Sequence, residues 1–515
     1  MVLPTDGNST ESVGAFLNQL RSKGVKLWMD GGRVRYVAPK GALRPEDLSA
    51  IRGLGNDIGD FLESAEVAQI SCPTTAPLAY SQLAHWNLYR LADRPSFCQI
   101  LSLTRLQGPL AIDLLQKSLS EVVRRHETLR TRVVLKDGIP FQDICDACDC
   151  SITLTDLNPD SQRLSETEAS ALVEQIAIEP INVISGPLFR VRLLKLHEQD
   201  HILFVAIEHL IADGYSIGIL LHDLFTAYEQ VRREQPISWQ RLPLRFADYA
   251  RRQADEESLW LKKHEAYWAQ RKNEYQRLPF PSDTLQVLAD AHGWDAVPVR
   301  IDTVLKAALS EWSRQKKTTL VLAVFTAYIA LVLRWCGVTR GVFPYQVNGR
   351  NSPKIENLIG YFASVIYVPI DLHSDDTFVT LLHRVIRGYC EAHEHADSSY
   401  LEAQSPRPEF TRNTCFNWIT QGLDLDAVEE RDSTNKQPTR SRFLATPDLL
   451  HQIDRDLEPT VLLFEQGNTI LGNVQFPTNR VSRSTMIRFA RNFLSFLEVL
   501  VKSPHQRVSQ IGLLS

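Results

Sequence analysis

Ile207-Glu208-His209-Leu210-Ile211-Ala212-Asp213-Gly214-Tyr215-Ser216 is the stretch that decides how this chain is read. Before it, Phe189 to Leu196 alternates apolar and basic residues, and Glu198-Gln199-Asp200 turns the chain. His201 to Ile207 then returns as a mostly apolar run, the mark of a central strand buried on both faces. After it, Ile217, Ile219, Leu220, Leu224 and Tyr228 fall on one apolar stripe of a helix. Gly214 is expected to permit a tight exit from the strand, and Ser216 to cap the helix. His209 therefore lies where a strand end delivers a side chain to a cleft. Taken alone, such a histidine is more ordinarily satisfied by a backbone carbonyl than used for chemistry.

Working outward, 515 residues are too many for one core, so roughly two to four compact units are expected. A net charge of -5 leaves no basic excess for nucleic acid. Eight cysteines over this length make no disulfide framework, and a reducing cytoplasm is the expected setting. Met1 to Ser12 lacks the charged-then-apolar pattern of a secretory signal. The most apolar run, Thr319 to Leu333, is shorter than the about 20 residues that cross a bilayer, so it reads as a buried helix and no membrane is expected as partner. Cys145, Cys148 and Cys150 invite a zinc reading, but no second ligand pair follows at finger spacing, and no metal is expected.

The first 66 residues read as a separate unit of order helix, hairpin, helix. Phe16, Leu17 and Leu20 make a short helical stripe. Val25, Leu27 and Met29 alternate before Asp30-Gly31-Gly32, and Val34 and Tyr36 alternate after it, a strong hairpin signal. Pro45-Glu46-Asp47 opens a helix carrying Ile51, Leu54, Ile58, Phe61 and Leu62, with proline in its first turn and acids near its N-terminus. Residues 67–76 read as a linker. Phe246 to Tyr275 is a long charged helix, suited to bridging two halves of the remaining body.

Several further stretches, in this order, resemble one family. They are Pro77-Leu78-Ala79-Tyr80-Ser81-Gln82 with Trp86, Arg125-His126-Glu127-Thr128-Leu129-Arg130-Thr131, the segment 207–216, and Phe246-Ala247-Asp248-Tyr249. Asn348-Gly349-Arg350 follows with Leu358-Ile359-Gly360-Tyr361-Phe362, then weaker echoes at His395-Ala396-Asp397 and at Arg412-Asn413 with Phe416-Asn417. Together they are similar to the motifs of condensation domains of nonribosomal peptide synthetases, over about residues 77 to 515. The first segment, Leu27 to Leu43, resembles the TubC-type docking domains found at the start of some synthetase subunits. His126 reads more plainly as the order-giver of a helix end than as a catalytic group.

The resemblance implies an α/β fold of two lobes like chloramphenicol acetyltransferase in a V-shaped pseudo-dimer, residues 77–250 and 251–515, preceded by a small α-β-β-α docking domain. It implies amide-bond formation between a donor acyl thioester and an acceptor amine. The substrates would arrive on the phosphopantetheine of upstream and downstream carrier proteins, with no cofactor bound by this chain itself. His209 would be catalytic, while Asp213 would face away from the tunnel and pair with Arg350 from the other lobe. Gly214, Tyr215, Ser216 and Asn417 would line the tunnel or lie just behind it. Lys26, Arg33 and Arg35 would attract the acidic C-terminal tail of an upstream synthetase to the hairpin edge. Val508 to Ser515 resembles the handover to an adenylation domain. Glu208 departs from the pattern, standing where the family has the first of two histidines. Burial there would favour its neutral form unless a cation pairs with it. Ser364-Val365 and Pro369 also depart from the fifth motif. Within this chemistry a starter domain that acylates the first amino acid is the near alternative, and a silent recruiting scaffold the distant one.

Overall fold

The computed structural model describes residues 26–30, 33–37, 43–53, 75–91, 99–146, 150–157, 176, 179–275, 277–283, 294–395, 413–419, 440–443 and 458–513. The chain divides into two compact units, Met1–Thr74 and Thr75–Ser515.

In the first unit, β1 (Lys26–Asp30) and β2 (Arg33–Val37) pair antiparallel from Asp30↔Arg33 to Lys26↔Val37. The register leaves two residues, Gly31 and Gly32, between the paired ends. Helix α1 (Pro45–Gly53) follows, and the Arg44 N–H donates to the Asp47 carboxylate at its start. The expected helix at Phe16 to Leu20, and the stretch from Leu54 to Leu62, lie outside the described residues.

The second unit begins at once with structure. β3 (Thr75–Pro77) pairs with β6 (Ile139–Ile144), which pairs with β5 (Thr131–Lys136). Thr75 and Ala76, read as the end of a linker, are already laddered to Asp143 and Gln142. Helix α2 (Tyr80–Leu91) comes next. Around it in sequence lie β4 (Gln99–Gln107), α3 (Ile112–Arg125), β7 (Ile152–Asp156), β8 (Phe189–His197), β9 (Asp200–Glu208) and α4 (Gly214–Arg232). β9 runs antiparallel between β4 and β8, and its unbroken apolar run suits that central place. α3 and α4 cover one face, where Leu115 and Leu119 meet Val205, Ile207, Ile217 and Leu220 in one core.

Helix α5 (Phe246–Glu274) is continuous across the expected lobe boundary at 250/251. Beyond it lie β10 (Trp294–Ile301), α6 (Thr303–Gln315), α7 (Leu320–Cys336), β11 (Arg340–Val347), the short α8 (Pro353–Glu356), β12 (Ser364–Asp371) and α9 (Phe378–Glu394). Then come β13 (Cys415–Ile419), β14 (Arg440–Phe443), β15 (Thr460–Gln466), β16 (Thr469–Pro477) and α10 (Arg483–Lys502). Six of these strands form a mixed sheet ordered β10-β16-β15-β13-β11-β12. α7 is apolar on every side because it is buried on every side from Ala323 to Leu333. Thr319 caps its start and Gly337, at φ 66°, ends it in the left-handed conformation. Among the described residues no single helix is long and apolar enough to cross a membrane. β14 belongs to the later half by sequence, yet pairs with β4 from Ser102↔Phe443 to Arg105↔Arg440. The sheet that holds β9 is therefore ordered β14-β4-β9-β8-β7, completed by a strand from the second half.

Candidate active site

The end of β9 builds the site. Glu208 is the last residue of the strand, and the Glu208 N–H donates to the Leu188 carbonyl. Its side chain is 0% exposed, and Asp213 is 1% exposed, while His209 between them is half-buried as a residue. Burial lowers the pKa of His209 against the pull of Asp213, so the imidazole is neutral near pH 7. Its Nδ1 is buried near the backbone carbonyls of His209 and Ala212 without a well-formed hydrogen bond. The Tyr361 ring lies 4.5 Å from it, centroid to centroid.

The helix after the turn is capped by Asp213, not by Ser216 as its sequence suggests. α4 begins at Gly214, and the Ser216 N–H donates to Asp213 Oδ1 over 2.9 Å. Asp wins because a cap accepts from the amide two or three residues on, and Asp213 stands at that distance. Gly214 takes no left-handed conformation, and a Cβ there meets nothing within 4 Å. Its lack of a side chain leaves space open rather than relieving strain.

Asp213 and Ser216 reach into the second half. Arg350 Nη1 donates to Asp213 Oδ2 over 2.6 Å, and both side chains are 2% exposed. The same oxygen accepts from the Phe362 and Ala363 N–H groups at 3.1 and 3.2 Å. Arg350 Nη2 also donates to the Leu358 carbonyl and to Ser216 Oγ, while its guanidinium lies over the Tyr215 and Phe362 rings at 4.6 and 4.5 Å. Gly349 makes this approach possible: it sits at φ +65°, and a Cβ there would fall 1.8 Å from the Phe362 carbonyl oxygen. Other matched segments converge on the same loop. Ser81 Oγ donates to the Tyr361 carbonyl at 2.6 Å and Thr128 Oγ1 to the Ile359 carbonyl at 3.0 Å. Segments scattered along the sequence thus gather around 358–363.

The remaining candidates fall elsewhere. Asn417 is half-buried on β13 opposite Leu462, and among the described residues no hydrogen bond joins its side chain to the His209 group. Lys26, Arg33 and Arg35 lie in the hairpin, with Arg33 and Arg35 opposite Asp30 and Trp28 in register. His126 is the C-cap of α3, and its Nε2 lies 2.8 Å from Asp223 of α4, a helix-ordering place. Cys148 lies outside the described residues, and no metal-holding cluster exists among the described residues.

Two residues of the site were not singled out from sequence. One is Tyr361. The other is His85 on α2, whose ring lies 5.3 Å from that of His209. The signal was present in helical spacing: Gln82, three residues earlier and hence on the same face, donates to the Leu210 carbonyl in the His209 turn at 2.8 Å.

A neutral imidazole on a half-buried residue at a strand end, its turn braced by an ion pair from a second α/β half, suits an acyl-transfer site. Comparison with known proteins gives the family. The model of the condensation domain matches residues 73–515, and that of the TubC N-terminal docking domain matches residues 13–63. The chain belongs to the condensation-domain family, whose members in peptide synthetases are acyltransferases that form amide bonds. It is 26% identical over 446 residues to chondramide synthase cmdD of Chondromyces crocatus, covering 85% of this chain but 11% of that relative. It is also 25% identical over 483 residues to cyclosporin synthetase simA of Tolypocladium inflatum, covering 89% of this chain but 3% of that relative. The chain thus spans a small part of the length of these curated relatives. In fold it is similar to the X-domain solved in complex with OxyB from teicoplanin biosynthesis, with TM-score 0.70 and 22% identity, covering 86% of this chain and 97% of that one.

Proposed function

We propose that this chain forms an amide bond between two tethered substrates, and that His209 handles the proton of the attacking amine. The donor is an acyl or peptidyl thioester on the phosphopantetheine arm of an upstream carrier protein. The acceptor is an aminoacyl thioester on a downstream carrier. The acceptor nitrogen attacks the donor carbonyl, the C–N bond forms, the donor C–S bond breaks, and the donor arm leaves as a thiol. One proton passes from nitrogen toward sulfur. His209 either accepts it in passing or orients the amine by a hydrogen bond, and a neutral imidazole serves both. Thioester aminolysis is favourable, so holding the two groups together supplies several kcal/mol of the acceleration.

The observation that carries this reading is the half-buried His209, its imidazole neutral, at the β9 end and beside sealed Glu208 and Asp213. In this reading Asp213 and Arg350 hold the turn and do no chemistry, and Gly214 and Tyr215 border the path of a pantetheine arm. Residues 1–66 would bind the C-terminal tail of an upstream synthetase, adding it as a strand to the hairpin, with Lys26, Arg33 and Arg35 favouring an acidic tail. The work would take place in the cytoplasm. The docking unit favours an elongation role over a starter role, since it implies a protein supplying the donor.

A second reading, a recruiting scaffold without catalysis, draws on Glu208 and on the fold likeness to an X-domain solved in complex with OxyB. Single-turnover reactions with loaded donor and acceptor carriers separate the two. Folded His209→Ala is expected to lose about 100-fold or more of the amide-forming rate. Undiminished turnover in that variant leaves the scaffold or a purely substrate-driven reaction.

A further inference from the structure

Beside His209 lie two buried polar groups that the proposed reaction does not use. His85 brings its ring to 5.3 Å from that of His209, tilted by 35°, and meets Tyr361 edge-on at 5.7 Å. Its Nε2 lies 3.9 Å from Glu208 Oε1, with the two side chains 6% and 0% exposed. Among the described residues, His85 Nε2 and both Glu208 carboxyl oxygens are buried without a hydrogen-bond partner. Leaving a buried polar atom unpaired is costly, so three at one place are a marked departure from ordinary core packing. A movement of about 1 Å brings the carboxyl and the imidazole to hydrogen-bond distance.

The surroundings fix the charge that such a pair can carry. From β8, Arg190 faces Glu208 with both Nη groups engaged by Glu179 and Gln99 and its Nε buried without a partner among the described residues. From β4, Gln99 stands opposite Glu208 in register. Asp213, beyond His209, is bound by Arg350, and Tyr361 closes the remaining side. Burial raises Glu208 well above the usual carboxylate range, with Arg190 opposing weakly. Burial, and then the neighbouring His209, push His85 down to about 3. Both shifts favour the uncharged forms, a protonated carboxyl and an unprotonated imidazole.

We propose that Glu208 and His85 form a neutral pair in which the Glu208 O–H is shared with His85 Nε2, and that this pair positions the His209 ring. The wall beside His209 then carries no charge, and the ring is held against Tyr361 in its proton-accepting form. His85 and Glu208 act through His209 and are positioning residues. The inference rests on the reading of His209 given above.

The test is single-turnover amide formation, with kcat and carrier KM measured for His85→Phe, Glu208→Leu, Glu208→Gln and His209→Ala, each checked by thermal melting. Glu208→Leu removes the buried carboxyl and leaves His85 Nε2 without a partner, and it is expected to lose about tenfold in kcat with KM within about twofold, more than its shift in melting accounts for. His85→Phe keeps a ring in place and is expected to show the same loss. Glu208→Gln, whose amide can still donate to His85, is expected to recover most of what Glu208→Leu loses. Parental kcat in both Glu208→Leu and His85→Phe, alongside an inactive His209→Ala, overturns the pair and leaves the function intact. An active His209→Ala overturns the function and the pair together. A loss that follows melting temperature alone makes the pair merely structural and also refutes the proposal.

Discussion

Asp213→Asn is the sharpest probe of how the two halves are held at the site. The substitution keeps shape and removes one charge. It leaves the Arg350 guanidinium, 2% exposed, without its anion, and it disturbs a carboxylate that accepts from Arg350, Ser216, Phe362 and Ala363. Removing one member of a buried pair costs about 3–5 kcal/mol, because the partner stays buried and uncompensated. With about 2 °C per kcal/mol at the lower end for larger domains, melting should fall by about 6 °C or more. Arg350→Met alone should cost a similar amount, since it strands the Asp213 carboxylate. The double variant should cost clearly less than the sum, because it strands neither charge and a methionine fills much of the arginine's place. The assay is thermal and urea unfolding of the four proteins in one buffer, read with single-turnover activity on those that fold. Melting of Asp213→Asn within about 1 °C of the parent, or strict additivity in the double variant, refutes the coupling between the halves.

Three other outcomes are expected. Turnover should be flat around pH 7 and fall only below about 6.5, because burial lowers the pKa of His209 and its neutral form persists to that point; a midpoint at or above about 7 in the pH–rate profile excludes His209 as the group that titrates. Glu208 has a raised folded pKa, so it takes stability away as pH rises from its unfolded value of about 4.3. Glu208→Gln should therefore gain stability over the parent more at about pH 8 than at about pH 5, and a pH-independent difference in urea midpoints counts against the buried neutral carboxyl. Arg33→Glu with Arg35→Glu should weaken calorimetric binding of an acidic upstream tail about tenfold, or ~1.4 kcal/mol, while turnover with free carriers stays at the parental rate; equal affinity removes the charge argument.

What could be read without coordinates was local. The hairpin around Gly31-Gly32 follows from alternation and turn chemistry, and its register closes at Asp30↔Arg33 as that chemistry requires. The apolar run that became α7 is too long for a strand and too short to span a membrane, so it had to be a core helix. β9, the His209 turn and α4 are contiguous, and a continuous apolar run gives way to a 3.6-residue stripe where the helix begins. Where only local rules were applied, small errors followed: Ser216 looked like a cap because its side chain can cap, although Asp213 does so.

What the tertiary structure alone decided lies in contacts between residues far apart in sequence. No periodicity pairs Asp213 with Arg350 across 137 residues; the family resemblance named that partner, and the geometry gives its distance and burial. Nothing local assigns a late strand, β14, to the edge of the first sheet beside β4. Gly349 reads as a simple turn residue until the Phe362 carbonyl is seen pressed against it. His85 reads as one helical histidine among many until packing sets it between Glu208 and His209. Backbone preferences act over a few residues and are written in sequence order. Burial and its electrostatic consequences depend on which distant segments exclude water from a group, and that is settled only when the chain has packed.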